Sequence, residues 1–225
     1  MSLVVLKIGG AVAGDAAALA VRLARTHAVC VVHGAGPQIS AELERAGIES
    51  RFVDGRRVTT PAALELVRRS FASVNAAVCA AIGSAAVPVF GDRAGLEAEP
   101  LPGLGRVGSP RPSAPAPVAA ALAAGRIPVV APVAAGPDGG ALNVNADEAA
   151  SALAVGLGAD RLLFVTDVPG LLLGGAVAPS IGVDVAERLL DEGALEGGIV
   201  PKLQAAVGAA RLGVSAAIGE TAVVA

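Results

Sequence analysis

The sequence predicts an α/β fold in which a mainly parallel central sheet has helices on both faces. Short apolar runs of strand length alternate with helix-length segments along the chain, and this alternation is typical of parallel sheets built from βαβ units. Glycine-rich turns follow the first two apolar runs, where open parallel sheets place their ligands. The sequence therefore predicts both the layered architecture and the edge of the sheet that carries the site.

The strands are predicted from short apolar runs that end at glycine, proline or a polar residue. Strands buried on both faces read as continuous apolar runs, without strict alternation. The candidates are residues 3–8, 28–32, 87–90, 127–131 and 161–165, with one more strand after the last helix. The proline- and glycine-rich stretch 99–112 is interpreted as a long loop or a degenerate hairpin.

The helices are predicted from their start and stop residues. Proline suits the first turn of a helix and glycine suits the position after its end, which places helix starts at Pro37, Pro61 and Pro201. Asp147 is expected to cap one helix, and residues 184–187 resemble a capping box for the next. The predicted helices are residues 15–26, 37–47, 61–82, 118–124, 147–158, 184–192 and 201–213.

The composition excludes several classes of protein. Hydrophobic residues make up 54% of the chain and charged residues 16%, a balance typical of a folded protein. The apolar runs are interrupted far short of the roughly 20 residues that cross a bilayer, so we expect no membrane association. The net charge of −3 and the aromatic content of 2% disfavour nucleic-acid binding.

Cysteine and histidine form no metal-binding pattern. Cys30 and Cys79 each lie in an apolar run without a cysteine or histidine at metal-ligand spacing. A disulfide framework and a zinc site are therefore unsupported, and we expect no protein-bound metal. The first residues lack the basic start and apolar length of a secretory signal, so we expect a cytoplasmic protein.

Two glycine turns are candidate anion sites. Residues 7–10, Lys-Ile-Gly-Gly, combine a lysine at a strand end with glycines that let the backbone approach a phosphate closely. Residues 33–37, His-Gly-Ala-Gly-Pro, lead from a strand into a helix whose N-terminus suits a carboxylate or phosphate. Taken alone, ordinary strand-to-helix turns account for both segments, and His33 fits a structural role better than that of a catalytic base.

Three further polar positions favour a binding site. Capping explains Asp147 in the segment 143–147 but leaves Asn143 without a role. Arg57 lies between a polar loop and a helix, where it fits either a bidentate carboxylate clamp or an exposed arginine. Lys202 falls in the first turn of a helix, where a cation is disfavoured unless an anion also binds.

Common catalytic signatures are missing from the sequence. It contains no phosphate-binding loop of the Walker type and no dinucleotide-binding glycine fingerprint after a strand. It also lacks the protein-kinase motifs and the nucleophile elbow of serine hydrolases.

In their order along the chain, six segments together resemble the amino acid kinase family. Within that family they are most similar to members that phosphorylate N-acetylglutamate, the second step of arginine biosynthesis. The segments are residues 7–10, 32–39, 57–59, 143–147, 166–171 and 198–202. The resemblance implies an open αβα sandwich with an N-terminal lobe, about residues 1–158, for the acyl-amino acid. A C-terminal lobe, about residues 159–225, would bind ATP.

The resemblance also implies roles for individual residues. Lys7 and Lys202 match the two lysines that stabilise the transferring phosphoryl group, and Asp147 matches the carboxylate that holds them. The positions that hold N-acetyl-L-glutamate are matched by Ala35, Gly36, Arg57 and Asn143. The glycines that donate backbone N–H groups to phosphates are matched by Gly9, Gly10 and Gly34. The nucleotide contacts are matched by Asp167, Val168, Pro169, Gly170, Leu171, Leu172, Ala194, Leu195 and Glu196.

The chemistry of this reaction agrees with the residues present. A γ-carboxylate has a reference pKa near 4.3, so it is an ionised nucleophile at neutral pH and needs no general base. Two anions must meet, and lysines, backbone donors and Mg²⁺ neutralise their charge. Family members hold Mg²⁺ mainly through nucleotide oxygens and water, so ATP and Mg²⁺ are the expected cofactors.

The sequence departs from the family pattern in three places. Ala35 replaces the middle glycine of a His-Gly-Gly-Gly run, which is expected to remove positive-φ freedom and to add a methyl group beside the substrate. The usual C-terminal helix and strand are expected to be trimmed to residues 213–225, which makes the adenine side less complete. Arginine-inhibited relatives carry a helix before the first strand, and no such helix is expected before residue 3 of this sequence. The resemblance therefore implies an arginine-insensitive homodimer.

Two alternatives stay open at this point. A sister kinase acts on aminoadipate or glutamate bound to an acidic carrier protein, and it needs a basic surface. The candidates for such a surface are Arg51, Arg56, Arg57, Arg68 and Arg69. The second alternative is a non-catalytic ligand-binding regulator with the same fold. Ala35 and the short tail favour it, whereas both lysines and Asp147 oppose it.

Overall fold

In a computed structural model of the chain, residues 1–9, 13–166 and 168–225 are described and contain sixteen strands and eight helices. The first eight strands are β1 (Leu3–Ile8), β2 (Ala28–His33), β3 (Phe52–Val53), β4 (Arg56–Arg57), β5 (Ala86–Phe90), β6 (Ala98–Pro100), β7 (Val107–Pro110) and β8 (Ile127–Ala131). The others are β9 (Val133–Ala135), β10 (Ala141–Val144), β11 (Arg161–Val165), β12 (Leu172–Leu173), β13 (Ala176–Val177), β14 (Ser180–Gly182), β15 (Ser215–Ile218) and β16 (Thr221–Val224). The helices are α1 (Ala13–Leu23), α2 (Gly36–Arg45), α3 (Pro61–Ile82), α4 (Gly91–Ala94), α5 (Ala116–Ala123), α6 (Ala146–Gly156), α7 (Val183–Asp191) and α8 (Ile199–Arg211).

An eight-stranded sheet in the order β14-β16-β15-β11-β1-β2-β8-β5 forms the centre of the fold. Its neighbouring strands run parallel except β15 and β16, so the predicted mainly parallel sheet is confirmed. β1 lies between β2 and β11, and Lys7 stands beside Val32 and Phe164 in the two registers. The chain thus turns to opposite sides of β1, and the carboxyl ends of these strands frame the crevice where such sheets bind ligands.

Helices cover both faces of this sheet, which makes the fold an αβα sandwich. Successive side chains of a strand point to opposite faces, and β1 accordingly sends Val5 into one apolar cluster and Leu6 and Ile8 into another. The cluster around Leu6 is built from α1, α2 and α3. The cluster around Val5 is built from α5, α6, α7 and α8.

The proline- and glycine-rich stretch forms a hairpin that belongs to a second sheet. β6 and β7 pair antiparallel with Ala98 opposite Pro110, which resolves the two interpretations in favour of the hairpin. β7 continues the sheet to β10 and β9. Because β10 ends at Val144, immediately before α6, this small sheet delivers residues 143–147 to the crevice of the central sheet.

The start of α6 differs from the prediction. Asn145, and not Asp147, is the N-cap, and its Oδ1 accepts the backbone N–H groups of Asp147 at 2.7 Å and Glu148 at 3.4 Å. The amide oxygen satisfies the free donors of the first turn. The carboxylate of Asp147 is therefore left available for other contacts.

The last two helices also begin elsewhere than predicted. α7 starts after Gly182 without a side-chain cap, so Asp184 lies inside the helix, and Asp184 and Glu187 both accept hydrogen bonds from Arg211 of α8. α8 starts at Ile199, so Pro201 is its third residue. Two strands, β15 and β16, follow α8 where one was expected. Across the described ranges, no helix has both the length and the apolar content needed to cross a membrane.

The core under α6 gives a stability prediction. Leu153 is fully buried between α6 and the central sheet, so Leu153→Ala is expected to lower the free energy of unfolding by about 2–5 kcal/mol through lost burial and a residual cavity. Urea denaturation measures the change. Leu212→Ala is the matched control, because Leu212 is 63% exposed. Equal effects of the two substitutions would contradict the assignment of Leu153 to the core.

Candidate active site

Asp147 lies between two lysines at the carboxyl ends of the central strands. Its Oδ1 is 2.8 Å from the Nζ of Lys7, and its Oδ2 is 3.8 Å from the Nζ of Lys202. The three side chains are 7%, 7% and 17% exposed for Asp147, Lys7 and Lys202. The structure thus brings together the three predicted catalytic residues from β1, α6 and α8.

Each residue of this cluster lies near the end of a strand or the start of a helix. Lys7 is the last but one residue of β1, Asp147 is the second residue of α6, and Lys202 is the fourth residue of α8. The Lys202 ammonium also donates to the carbonyl oxygen of Gly198 at 3.1 Å. Two ammonium groups therefore lie beside the Asp147 carboxylate, and such groups can donate charge-assisted hydrogen bonds to an anion that enters the crevice.

A cavity of about 180 Å³ adjoins the cluster. This volume is well below the roughly 300 Å³ at which pockets for drug-sized ligands begin, and it fits a ligand of amino-acid size. Lys7 and Asp147 line one part of the wall. The four predicted substrate residues line the rest, namely Ala35, Gly36, Arg57 and Asn143.

Arg57 is a buried cation in the wall of this cavity. Only 6% of the residue is exposed, and its guanidinium lies 4.5 Å above the ring of Phe52. It donates hydrogen bonds to Ser50 Oγ, to Ser40 Oγ at 2.9 Å and to the Gly36 carbonyl at 3.2 Å. Burial lowers the pKa of Arg57 from its ordinary value.

The partners of Arg57 are all neutral. In the described parts of the chain, no carboxylate lies within 4.0 Å of the guanidinium. A buried charge without a counter-charge is costly. The site is therefore complementary to a ligand carboxylate, and the alternative of an exposed arginine is wrong.

Asn143 is held by a hydrogen-bond chain that reaches back to Arg57. Its Nδ2 donates to Thr59 Oγ1 at 3.1 Å, and the Thr59 hydroxyl donates to the Arg57 carbonyl at 2.7 Å. Both Asn143 and Thr59 are buried. Thr59 was not among the predicted site residues, although it lies two positions after Arg57 in a segment that the sequence analysis singled out.

Two expectations about the glycine turn after β2 need correction. Ala35 has a φ of −148°, so the position does not need the positive φ that glycine allows. Ala35 packs with the apolar cluster that includes α2 and also lines the small cavity, so a methyl group beside the substrate stays a prediction. The backbone N–H of Gly34 donates to the Ile8 carbonyl at 2.9 Å. That bond joins the ends of β1 and β2, so this N–H is engaged within the protein and does not face a phosphate.

The first predicted nucleotide segment is only partly described. Gly10 and Asp167 lie outside the described residues, while Gly9 directly follows β1. Val168, Pro169 and Leu172 are exposed, and Gly170 and Leu171 are buried. The structure therefore leaves three side chains of this segment open to a ligand.

The C-terminal hairpin of β15 and β16 contacts residues 168–172 through Thr221. The Leu171 N–H donates to Thr221 Oγ1 at 2.8 Å, and the hydroxyl of Thr221 donates to the Ala178 carbonyl at 2.7 Å. A Cβ on Gly170 would lie 2.5 Å from Thr221 Oγ1, so the close contact requires glycine. Thr221, a fully buried residue of β16, was missed because its role depends on a contact 50 residues away.

The second predicted nucleotide segment lies at a different cavity. Ala194 and Glu196 are exposed, and Leu195 is half-buried. Leu195 and Glu196 line a cavity of about 780 Å³ between α6 and α8, whose lining does not include residues 168–172. Among their described residues, the two predicted nucleotide segments therefore share no cavity.

His33 has the structural role that the sequence favoured. The side chain is fully buried, and its Nε2 lies 3.1 Å from the Nδ2 of Asn75, which also donates to the Val129 carbonyl at 2.8 Å. An Asn75 N–H donor facing Nε2 leaves the ring proton on Nδ1, which points at the Gly34 carbonyl 3.3 Å away. Burial lowers the pKa of His33 to about 4.

The chain belongs to the amino acid kinase family, because the family model matches residues 2–219. It is 43% identical to the acetylglutamate kinase of Rubrobacter xylanophilus over 97% of this chain and 88% of that protein. It is 40% identical to the acetylglutamate kinase of Gluconobacter oxydans over 84% of this chain and 70% of that protein. The family resemblance predicted from the sequence is therefore confirmed.

Solved structures show the same fold. A Streptococcus mutans UA159 protein is 26% identical and superposes with a TM-score of 0.88 over 99% of this chain and 98% of that one. An N-acetylglutamate synthase from Neisseria gonorrhoeae, complexed with coenzyme A and N-acetyl-glutamate, is 22% identical with a TM-score of 0.84, and the match covers all of this chain and 59% of that one. At this identity the second comparison supports the fold alone.

The buried histidine gives a prediction on pH. Because burial lowers the pKa of His33 to about 4 in the folded state from its ordinary value of 6.5, the unfolded state binds a proton first as the pH falls. The free energy of unfolding is therefore expected to decrease between pH 6.5 and 4, by up to about 1.4 kcal/mol per pH unit from this group. His33→Gln keeps an acceptor but does not titrate, so its profile is expected to be flatter in this window.

Denaturant titrations at several pH values measure both profiles. His27→Gln is the matched control, since His27 is the only other histidine in the sequence and lies in a partly exposed position. A His33→Gln profile as steep as that of the unsubstituted protein would contradict the prediction.

Proposed function

We propose that the chain transfers the γ-phosphoryl group of ATP to the γ-carboxylate of N-acetyl-L-glutamate and forms N-acetylglutamyl 5-phosphate in arginine biosynthesis. The observation that carries the proposal is that one small cavity has a cation at each of two places in its wall, Arg57 and Lys7. Arg57 is buried and has no carboxylate partner among the described residues, and Lys7 shares Asp147 with Lys202, which lies beyond the wall. Such a cavity suits a ligand with two carboxylates, and the two groups take different roles.

Arg57 is proposed to bind the carboxylate that does not react. Its guanidinium is fixed by the hydrogen bonds that it donates to α2 and by the Phe52 ring, so little side-chain freedom is lost when a ligand binds. Asn143 supplies an amide on the same wall. These contacts orient the substrate so that its second carboxylate lies beside Lys7.

The lysines are proposed to act on the reacting end. The γ-carboxylate is ionised at neutral pH, so the protein needs no base to activate it. The barrier is electrostatic, since a carboxylate must approach a polyphosphate. Lys7 and Lys202 would place positive charge where negative charge accumulates in the transition state, and Asp147 would hold both ammonium groups in position.

The donor set fits a nucleotide that brings its own metal. Among the residues that the structure describes, no three His, Cys, Asp or Glu side chains lie close enough together to hold a metal ion, and Asp147 is engaged by the lysines. Mg²⁺ bound to the phosphate oxygens of ATP would supply further charge neutralisation. The proposal therefore assigns no metal ligand to this chain.

The division into lobes, the homodimer and the cytoplasmic location belong to the same proposal. Residues 1–158 contain the walls of the substrate cavity, since all of its lining residues fall between Lys7 and Asp147. Residues 159–225 contribute Lys202 and the two segments proposed for the nucleotide. The homodimer and the location rest on the family resemblance.

The carrier-linked alternative loses part of its basic surface in the structure. Arg56 pairs with Glu148 at 2.9 Å, Arg68 pairs with Asp92 at 2.6 Å, and Arg57 is buried. Only Arg51 and Arg69 of the five candidate arginines are exposed. Two separate arginines are a weak footprint for an acidic protein, which favours a free amino-acid substrate.

The first experiment compares acceptors in an assay that needs ATP and Mg²⁺ and traps the acyl phosphate as a hydroxamate. We expect turnover with N-acetyl-L-glutamate and much less with glutamate, aspartate or N-acetylaminoadipate, because the cavity is small and one carboxylate must reach Arg57. Folded protein that binds ATP but phosphorylates none of these acceptors would point to the carrier-linked kinase or to the regulator.

A second experiment tests the lysines. Lys7→Ala and Lys202→Ala are each expected to lower kcat by about 10²- to 10³-fold, as expected when one preorganised charge donor is removed from a transition state. Arg45→Ala is the matched control, because Arg45 carries the same charge on the exposed end of α2. Thermal unfolding checks that the variants are folded. Substitutions that only weaken ligand binding, in a protein that shows no turnover before substitution, would indicate a sensor rather than a catalyst.

A further inference from the structure

We infer that Arg56 and Glu148 form a latch that holds the β3–β4 hairpin closed over the substrate cavity. Both are positioning residues, since they act through Arg57 and not on the reacting atoms. The inference deepens the proposed function and rests on it. Neither residue was predicted to be catalytic or to bind the substrate or nucleotide, and neither has a role in the reaction described above.

The hairpin is short and needs support from outside. β3 and β4 form only two residue pairs, Phe52 with Arg57 and Val53 with Arg56. The turn between them consists of Asp54 and Gly55 with φ values of 47° and 73°, which is the conformation of a tight two-residue hairpin loop. An isolated two-stranded hairpin is marginally stable in water, so its position depends on contacts with the rest of the protein.

The adjacent residues Arg56 and Arg57 of β4 point to opposite faces of this hairpin. Neighbouring side chains on a strand point in opposite directions, and Arg57 reaches towards α2 through Ser40 and Gly36. Arg56 reaches towards α6, where its Nη2 lies 2.9 Å from the Oε1 of Glu148. These two side chains are 28% and 22% exposed, so the ion pair is largely shielded from water and is stronger than one on an open surface.

Glu148 of the latch lies in the first turn of α6, next to Asp147, which contacts both lysines. Glu148 follows Asp147 directly, and the side chain of Asn145 caps both of their backbone N–H groups. The ion pair Arg56–Glu148 therefore ties the hairpin that carries Arg57 to the turn that carries Asp147. It fixes the distance between the group that binds one carboxylate and the group that organises transfer to the other.

The tip of the hairpin also separates two cavities. Gly55 and Arg56 line both the 180 Å³ cavity and the 780 Å³ cavity. A Cβ on Gly55 would lie 4.0 Å from the Cβ of Pro201, so the tip rests against the first turn of α8. If the hairpin moved away from α6, the small cavity would open into the large one and lose its shape.

The latch is tested by separating KM from kcat. Arg56→Gln and Glu148→Gln are each expected to raise the KM for N-acetyl-L-glutamate by about five- to tenfold, within the range of coupling energies measured for contacting pairs. The kcat is expected to change less than twofold, because the lysine cluster stays intact. The double variant is expected to match the single ones, since both substitutions break the same contact.

A second readout needs no substrate. Hydrogen exchange of the backbone amides of residues 51–58 is expected to be faster in both single variants than in the unsubstituted protein. Arg45→Gln is the matched control, because it breaks an exposed ion pair with Glu42, and it is expected to leave both KM and the hairpin exchange unchanged.

The outcomes separate the latch from the proposed function. An unsubstituted protein without turnover on N-acetyl-L-glutamate would overturn the proposed function, and the exchange rates would still show whether the ion pair holds the hairpin. Normal turnover with an unchanged KM in Arg56→Gln, or effects that add in the double variant, would overturn the latch. A fall in kcat at constant KM would also overturn it, because the pair would then act on the lysine cluster.

Discussion

The first turn of α6 is the constraint on which the rest of the site depends. Asp147 in this turn is nearly buried and contacts both lysines, which come from strands and helices far apart in the sequence. An ammonium group buried without a counter-charge is strongly unfavourable. The Asp147 carboxylate therefore allows the lysines of β1 and α8 to lie close together. Asn145 caps the helix in place of Asp147, which leaves that carboxylate free to contact the lysines.

Regular elements with a clear pattern were predictable from the sequence. The strands at residues 3–8, 127–131 and 161–165 were predicted with their observed bounds, and so was the helix at 61–82. The three strands consist mostly of apolar residues, and the helix starts with a proline that follows a capping threonine. The two-residue strands were not predicted, since so short a run has no periodicity and forms only where another segment supplies its partner.

The site itself was predictable in identity but not in arrangement. Glycines, lysines and an asparagine in a known order indicated which residues belong together, whereas the backbone conformation at Ala35, the engagement of the Gly34 N–H and the support from Thr221 all depend on contacts between distant segments. Arg56 was considered from the sequence only as part of a basic surface for a carrier protein, and not as a partner of Glu148. The residue counts pointed more strongly to Lys7 and Lys202 as site residues, since the sequence has fifteen arginines and only two lysines.

That count has a practical consequence for chemical labelling. Lys7 and Lys202 are the only side-chain amines in the sequence, and both are turned towards one carboxylate in a crevice. A reagent that acylates lysine can therefore modify a side chain only at the centre where phosphoryl transfer is proposed. Acylation of these amines thus becomes a direct report on whether a polyphosphate occupies the crevice, and attachment of dyes or supports through lysine is incompatible with a working protein.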